Sequence, residues 1–434
     1  MSAREKIIKL VKQHYLEEFP NSDFIPGKSA VPVSGRTFDY KDIETLIDSS
    51  LDFWLTEGRY TDLFEEKFSE FLKIKKTVPV NSGSSANLLA FTALTSHKLK
   101  ERAIKDGDEV ITVATGFPTT INPIIQNNCV PVYLDCELDT YNINTDYLSD
   151  ALSKKTKAVM LAHTLGNPFN VDEISKFCEE NNLFLIEDSC DALGSMYKNQ
   201  YTGTFGNMGT FSYYPAHHIT MGEGGSVVTN DPIFFRVLES LRDWGRDCWC
   251  APGVSDTCNK RYDWQLGNLP YGYDHKYTYS HIGYNLKLTD LQAAIGCSQL
   301  DKVDSFIEKR KYNWERLYAG LSNLEEFFIL PKKQKNSDPS WFGFALTIKQ
   351  SAPFSRPELI KHLDEKNINS RFLFGGNILW QPAYQNTKHR EVGSLTNSDT
   401  VALSTFWLGV FPGLTNGMID FVIEVIQEFV NSKK

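Results

Sequence analysis

Two adjacent imidazoles, His217 and His218, sit in the run from Gly209 to Asn230, GTFSYYPAHHITMGEGGSVVTN. Histidine titrates near neutral pH, so a loop that presents it can move protons. A β-branched and aromatic run, Thr210 to Tyr214, leads into the loop and ends at Pro215. A glycine cluster, Gly222, Gly224 and Gly225, leads out of it into Val227 and Val228. Two strands therefore flank a loop whose glycines permit close backbone approach or positive φ, and which presents Ser212, His217 and Glu223. Thiols form a second chemical set. Of eight cysteines, Cys129, Cys136, Cys178 and Cys297 fall singly on helix or strand patterns and read as small buried hydrophobes. The other four read Cys190-x57-Cys248-x-Cys250-x7-Cys258, three of them in a glycine- and aspartate-rich loop. In a reduced protein such a group indicates metal, and four thiolates suit zinc or an iron–sulfur cluster. Zinc pairs are usually Cys-x2-Cys, wider than Cys248-x-Cys250.

Other candidates sit at element boundaries. Asn81-Ser82-Gly83-Ser84-Ser85-Ala86-Asn87 follows an apolar run and opens a helical pattern. Small residues there leave backbone N–H groups free for an anion such as phosphate, although any capped helix after a strand looks alike. Leu183-Phe184-Leu185-Ile186-Glu187-Asp188 is a buried-looking strand ending in two acids, at the strand end where α/β sheets hold ligands. Read alone, Phe117 is a core residue and His163 a satisfied loop histidine.

These residues need a frame. Short apolar runs recur at 77–80, 109–113, 130–134, 158–162, 183–186, 210–214 and 226–229, mostly separated by helical patterns such as 87–99, 172–181 and 232–244. That alternation is the signature of an α/β domain around a mainly parallel sheet. An amphipathic helix and a Pro/Asn/Ser turn open the chain, residues 1–30 being a lead-in. Residues 31–300 then read as the large domain, with a Cys/Tyr/Trp-rich loop at 245–280, and 301–434 as a smaller α+β domain. The net charge of −9 and pI near 5.6 argue against a nucleic-acid or anionic-membrane surface. No apolar run is long enough to span a bilayer, and the first residues alternate charge with aliphatics, unlike a signal peptide. The expectation is a cytoplasmic protein with reduced thiols.

The loop at 209–230 resembles the catalytic loop of the DegT/DnrJ/EryC/StrS sugar aminotransferases. These pyridoxal-phosphate enzymes of fold type I read roughly F-S-x-x-P-x-K-x-x-x-x-G-[DE]-G-G, with the lysine forming the Schiff base to the cofactor. His217 stands at the lysine position and cannot form that bond. Gly283-Tyr284-Asn285-Leu286-Lys287-Leu288-Thr289-Asp290-Leu291-Gln292-Ala293-Ala294 closely resembles the family's G-[YF]-N-x-[RK]-[ML]-x-[DE]-x-Q-A-A element. The resemblance implies an aspartate-aminotransferase-like fold, with a seven-stranded, mainly parallel sheet and a smaller C-terminal domain. It further implies Gly83, Ser84, Ser85 and Ser212 on the cofactor phosphate, Phe117 stacked on its ring, and Asp188 at its ring nitrogen. His163 would line the site. Asn285 would reach the phosphate of a second copy, which implies a homodimer with shared sites. Asp191 replaces a family glutamine or histidine near the cofactor hydroxyl.

Within the family, histidine at the lysine position resembles the 3-dehydratases of nucleotide-linked 4-keto-6-deoxy sugars, which work from pyridoxamine phosphate. There the histidine is the base. The cysteine spacing resembles the branch that acts on a CDP sugar and takes electrons through a 2Fe-2S cluster from a separate NAD(P)H-dependent flavin iron–sulfur reductase. That branch lies on the route to 3,6-dideoxy sugars of bacterial surface polysaccharide such as O-antigen. Cys190, two residues beyond Asp188, is held within ~7 Å of it by chain geometry, so a cluster would border the cofactor. His218, Arg371 and Asn377 are further candidates for substrate contact. The alternatives are a cluster-free dehydratase of a GDP sugar driven by glutamate, an aminotransferase using another lysine, and a non-catalytic cofactor binder.

Overall fold

The computed structural model describes residues 1–20, 23–250 and 252–434, so part of the turn expected after the first helix lies outside the described residues. Seven strands form at the apolar runs: β1 (Lys76–Val80), β2 (Glu109–Val113), β3 (Val130–Leu134), β4 (Thr156–Ala162), β5 (Phe184–Asp188), β6 (Met208–Ser212) and β7 (Gly225–Thr229). They lie in the order β1-β7-β6-β5-β4-β2-β3. All neighbours are parallel except β7, which runs antiparallel to both β1 and β6. Every residue of β3, β5, β6 and β7 is buried, because helices cover both faces. One face packs Val78, Leu89, Phe91, Met160, Ile186 and Leu238; the other packs Ile111, Val132, Val159, Leu161 and Leu185.

The C-terminal stretch builds a second, antiparallel sheet from β8 (Phe328–Ile329), β9 (Gly343–Ile348) and β11 (Thr405–Gly409). Its core of Trp314, Leu317, Phe344, Leu346, Phe406 and Ile426 joins that sheet to the helices of residues 303–321 and 416–433. One strand of this stretch, β10 (Arg390–Glu391), instead extends the large sheet to eight by pairing with β3. Two residues carry too little pattern to be seen in a sequence.

Before the large sheet come three helices, α1 (Ala3–Glu18), α2 (Tyr40–Ser50) and α3 (Arg59–Leu72). The α3 helix begins after Gly58, which has no side chain to cap the first N–H groups. Asp290 caps them from a distance. Its Oδ1 accepts from Tyr60 N at 3.0 Å, Thr61 N at 2.9 Å and Thr61 Oγ1 at 3.1 Å, and the residue is buried. The acid within the G-Y-N-L-K-L-T-D element thus joins the N-terminal helices to the helix of residues 290–300. Among the described residues, no helix is long and apolar enough to cross a membrane. Replacing Asp290 by Ala is expected to cost about 2 kcal/mol, since a buried cap of several donors is lost. The check is a lower urea midpoint, with Asp290→Asn falling between the two.

Candidate active site

Strand alternation places Glu187 and Asp188 on opposite faces of β5. Asp188 Oδ2 accepts from Asn87 Nδ2 and Thr120 Oγ1, both at 2.7 Å, and Oδ1 accepts from Cys190 N at 3.1 Å. Asn87 lies on α4 (Gly83–Ala93) and is itself fixed by Thr210 Oγ1 of β6, which donates to Asn87 Oδ1 at 2.6 Å. Thr120 lies on α5 (Pro118–Gln126). Three elements therefore aim one carboxylate, which keeps lone pairs for a further donor. Sequence reasoning missed Asn87, Thr120 and Thr210, because each matters only through a partner far away in the chain.

The α4 N-terminus stands beside Asp188. Ser82 caps it, its Oγ accepting Ser85 N at 3.1 Å. That engages the Ser85 N–H and leaves those of Gly83 and Ser84 directed outward at the positive end of the helix. A Cβ on Gly83 would collide with Ser212, and one on Gly225 with the Ser82 carbonyl, so both glycines permit the close approach that makes this cradle. The observed packing fits a phosphate. Phe117, N-terminal to α5, is 47 % exposed, and its ring meets Phe374 edge-on at 6.0 Å, so one face is open for stacking. Phe374 holds a positive φ of 47°, a strained backbone for an aromatic residue.

His217 lies in the loop between β6 and β7, beside Asp191, three residues beyond Asp188. Its Nδ1 is 3.4 Å from Asp191 Oδ1. The two are in pairing range but not aligned, and Nδ1 has no hydrogen-bond partner among the described residues. Burial and then the Arg310 charge push the imidazole down to about 3. Burial and then Asp188 push the Asp191 carboxyl up to about 8. At neutral pH the pair is thus imidazole and carboxyl, not an ion pair. Asp191 is turned to the histidine.

Several expected site residues lie elsewhere. His163 does not line the pocket: Phe169 N donates to its Nδ1 at 3.3 Å, which places the ring proton on Nε2, 3.0 Å from Glu187 Oε2. Its ring stacks on Phe169, and Glu187 also accepts the N–H groups of Gly203, Phe205 and Gly206. His163 is therefore a support on the far face of the sheet. His218 is buried, its Nε2 donating to Ser340 O at 2.9 Å, so it is closed to substrate. Asn377 is buried as a cap, accepting from Leu379 N and donating to Asp399. Arg371 is exposed, its Nη1 on Ser370 O. Asn285 is also exposed, its Oδ1 accepting from Lys287 Nζ, away from its own chain's pocket.

The cysteines separate into two places. Cys248, Cys250 and Cys258 line one small cavity with Asp256, Arg261, His275 and Lys276. The loop around it is laced by Arg261–Asp274 and His275–Asp247 pairs. Cys190 does not line that cavity; it is beside Asp188 as expected, and burial followed by the Asp188 charge pushes its thiol up. Among the described residues no group of three or more His, Cys, Asp or Glu side chains is arranged to hold a metal ion. Cys190 is not among the residues lining that cavity, so the expected four-thiolate set is not brought together there.

A model of the DegT/DnrJ/EryC1/StrS aminotransferase family matches residues 37–427. The chain belongs to that family. It is 53% identical over 426 residues to lipopolysaccharide biosynthesis protein RfbH of Salmonella typhimurium, covering 98% of each chain. It is 52% identical over 428 residues to dTDP-4-dehydro-2,6-dideoxy-D-glucose 3-dehydratase of Saccharopolyspora spinosa, covering 99% of this chain and 92% of the relative. A solved E. coli GDP-4-keto-6-deoxy-D-mannose-3-dehydratase with bound hydrated PLP superposes with a TM-score of 0.82 at 29% identity, covering 91% of this chain and 98% of that one. The expected α/β fold of aminotransferase-like, fold-type I enzymes is thus present.

Two buried neutral imidazoles have a consequence for stability. Burial holds both His217 and His218 well below the ordinary histidine value. Below pH ~6.5 the unfolded chain protonates both while the folded protein does not, so stability is full above that pH and falls toward pH ~3. Each contributes a slope of up to about 1.4 kcal/mol per pH unit. The His217→Gln, His218→Gln double variant is expected to flatten stability against pH between 6.5 and 4, measured by denaturant unfolding at each pH.

Proposed function

We propose that this protein is a 3-dehydratase of a nucleotide-linked 4-keto-6-deoxy sugar that works from pyridoxamine phosphate. One observation carries the reading: the family's lysine position is an imidazole, and it lies within 3.4 Å of Asp191, three residues beyond Asp188. The cofactor, when bound, supplies an amine to condense with the sugar's 4-keto group and a ring that accepts electrons. The chain's own residues do the rest. Gly83, Ser84 and Ser212 hold the phosphate, with Asn285 of a second copy completing it in a homodimer. Asp188 holds the ring nitrogen, and Phe117 covers the ring. His217, neutral at working pH, accepts a proton through Nε2, its Nδ1 edge being turned to Asp191. Loss of the C-3 hydroxyl then needs that proton's return path kept free of bulk water, which the buried Phe342 beside His217 supports. The names of the relatives agree with this reaction class.

The electron source separates two readings. Cysteine spacing favours a 2Fe-2S cluster fed by a reductase, with a CDP sugar as substrate. Separation of Cys190 from the other three thiols favours the cluster-free route, in which glutamate regenerates the amine.

Two measurements test the proposal. Given pyridoxamine phosphate and CDP-, dTDP- or GDP-linked 4-keto-6-deoxy sugars, the protein is expected to release the C-3 oxygen. His217→Asn should lower the rate by about 10²–10⁴ while cofactor absorbance is kept. Retained turnover in that variant would overturn the base assignment. Anaerobic reconstitution with iron and sulfide, read by EPR after reduction, decides the electron source. Two irons per chain, lost in Cys250→Ser, establish the cluster; none leaves the glutamate route.

A further inference from the structure

Arg310, on the helix of residues 303–321, is 1 % exposed and is one of the largest fully buried side chains in the protein. A guanidinium at such depth is ordinarily matched by a carboxylate or phosphate. Here its hydrogen bonds among the described residues go to two main-chain carbonyls. Its Nη2 donates to His217 O at 3.0 Å and its Nη1 to Trp341 O at 3.3 Å, while Nε has no partner. One acceptor is the main chain of the base itself. The other precedes Phe342, whose ring centre lies 5.1 Å from that of His217 and 5.9 Å from the guanidinium carbon. Phe342 N in turn donates to Leu165 O at 2.8 Å, and Ser340 O accepts from His218. Arg310 therefore bridges the main chains of the His217 loop and the segment at 340–342, beside the His218–Ser340 bond and the His217–Phe342 ring contact.

We propose that Arg310 is the positioning residue of the proton-transfer base, clamping the main chain of His217 to the segment that backs its ring. The proposal rests on the reading of His217 as base. A neutral side chain could satisfy a carbonyl, but the fixed charge does more. The charged and titratable groups facing His217 are Asp191 after β5, Asp188 on β5, its neighbour His218, and Arg310 from below. Of these only Arg310 is a permanent cation, and its charge adds to burial in disfavouring protonation of both histidines. The same side chain thus sets where the imidazole sits and helps keep it in its unprotonated form.

The test uses the full-length protein labelled with ¹³C at the histidine Cε1. Nine histidines give a tractable spectrum, and His217 is assigned by the signal lost in His217→Asn. In the native protein that signal should stay in its neutral form down to pH ~5, below the free-imidazole range. In Arg310→Met its titration should move to a higher pH than in the native protein while burial still holds it below the free-imidazole range, whereas Arg310→Lys, which keeps the charge but spans one carbonyl, should leave it as in the native protein. Turnover should fall about 100-fold in kcat for Arg310→Met with KM little changed, as expected when a reacting group is displaced by about 1 Å. Arg310→Lys should lose kcat without moving the pH profile. A native titration and kcat in Arg310→Met, with His217→Asn inactive, would overturn this proposal alone. Normal turnover in His217→Asn would overturn the base reading and this proposal with it. If Arg310→Met does not fold, Arg310→Lys decides, since an unchanged kcat there overturns the clamp.

Discussion

Two neighbouring carboxylates at the end of β5 point to opposite faces of one strand, and both the site and its support depend on that alternation. Asp188 turns to the pocket, where α4, α5 and β6 each contribute a donor or a brace. Glu187 turns the other way, where it collects three loop N–H groups and His163. A carboxylate buried with four donors around it holds the 203–206 loop against the strand, and so fixes the height of β6 beside β5. A shift of one residue in β5 would exchange the two faces and leave both acids buried without partners.

From that strand end the pocket is assembled by close approaches. Gly83 lets Ser212 reach the α4 N-terminus, and Gly225 lets β7 pass beside it. The antiparallel β7 is what brings the chain back after the His217 loop, so the loop is held at both ends by the sheet. On its inner side it is held by Arg310 and the 340–342 segment, which belong to the C-terminal stretch. His217 therefore sits where two parts of the chain meet, with its neutral form favoured by depth and by the Arg310 charge.

The cysteine-rich loop shows how far a one-dimensional spacing can reach. Three thiols two to ten chain positions apart share a cavity, as local geometry allows. The fourth, Cys190, is brought to the pocket by β5 instead, and no short-range rule ties it to the loop. The loop that holds the other three is closed on itself by Arg261–Asp274 and His275–Asp247.

The sequence by itself determined the seven main strands, the helices between them and the set of residues at strand ends, because apolar periodicity and small-residue turns are local signals. It also determined that the family's lysine position is an imidazole, and so what chemistry cannot occur there. Tertiary structure alone decided the partners. His163, His218 and Asn377 look like site residues along the chain, yet each is turned inward to a support, because a side chain's direction depends on which face its neighbours bury. Asn87, Thr120, Asp290 and Arg310 look ordinary along the chain, yet they place Asp188, the start of α3 and His217. Hydrogen bonds between residues up to 340 positions apart carry no trace in local pattern. They exist only once the sheet has closed.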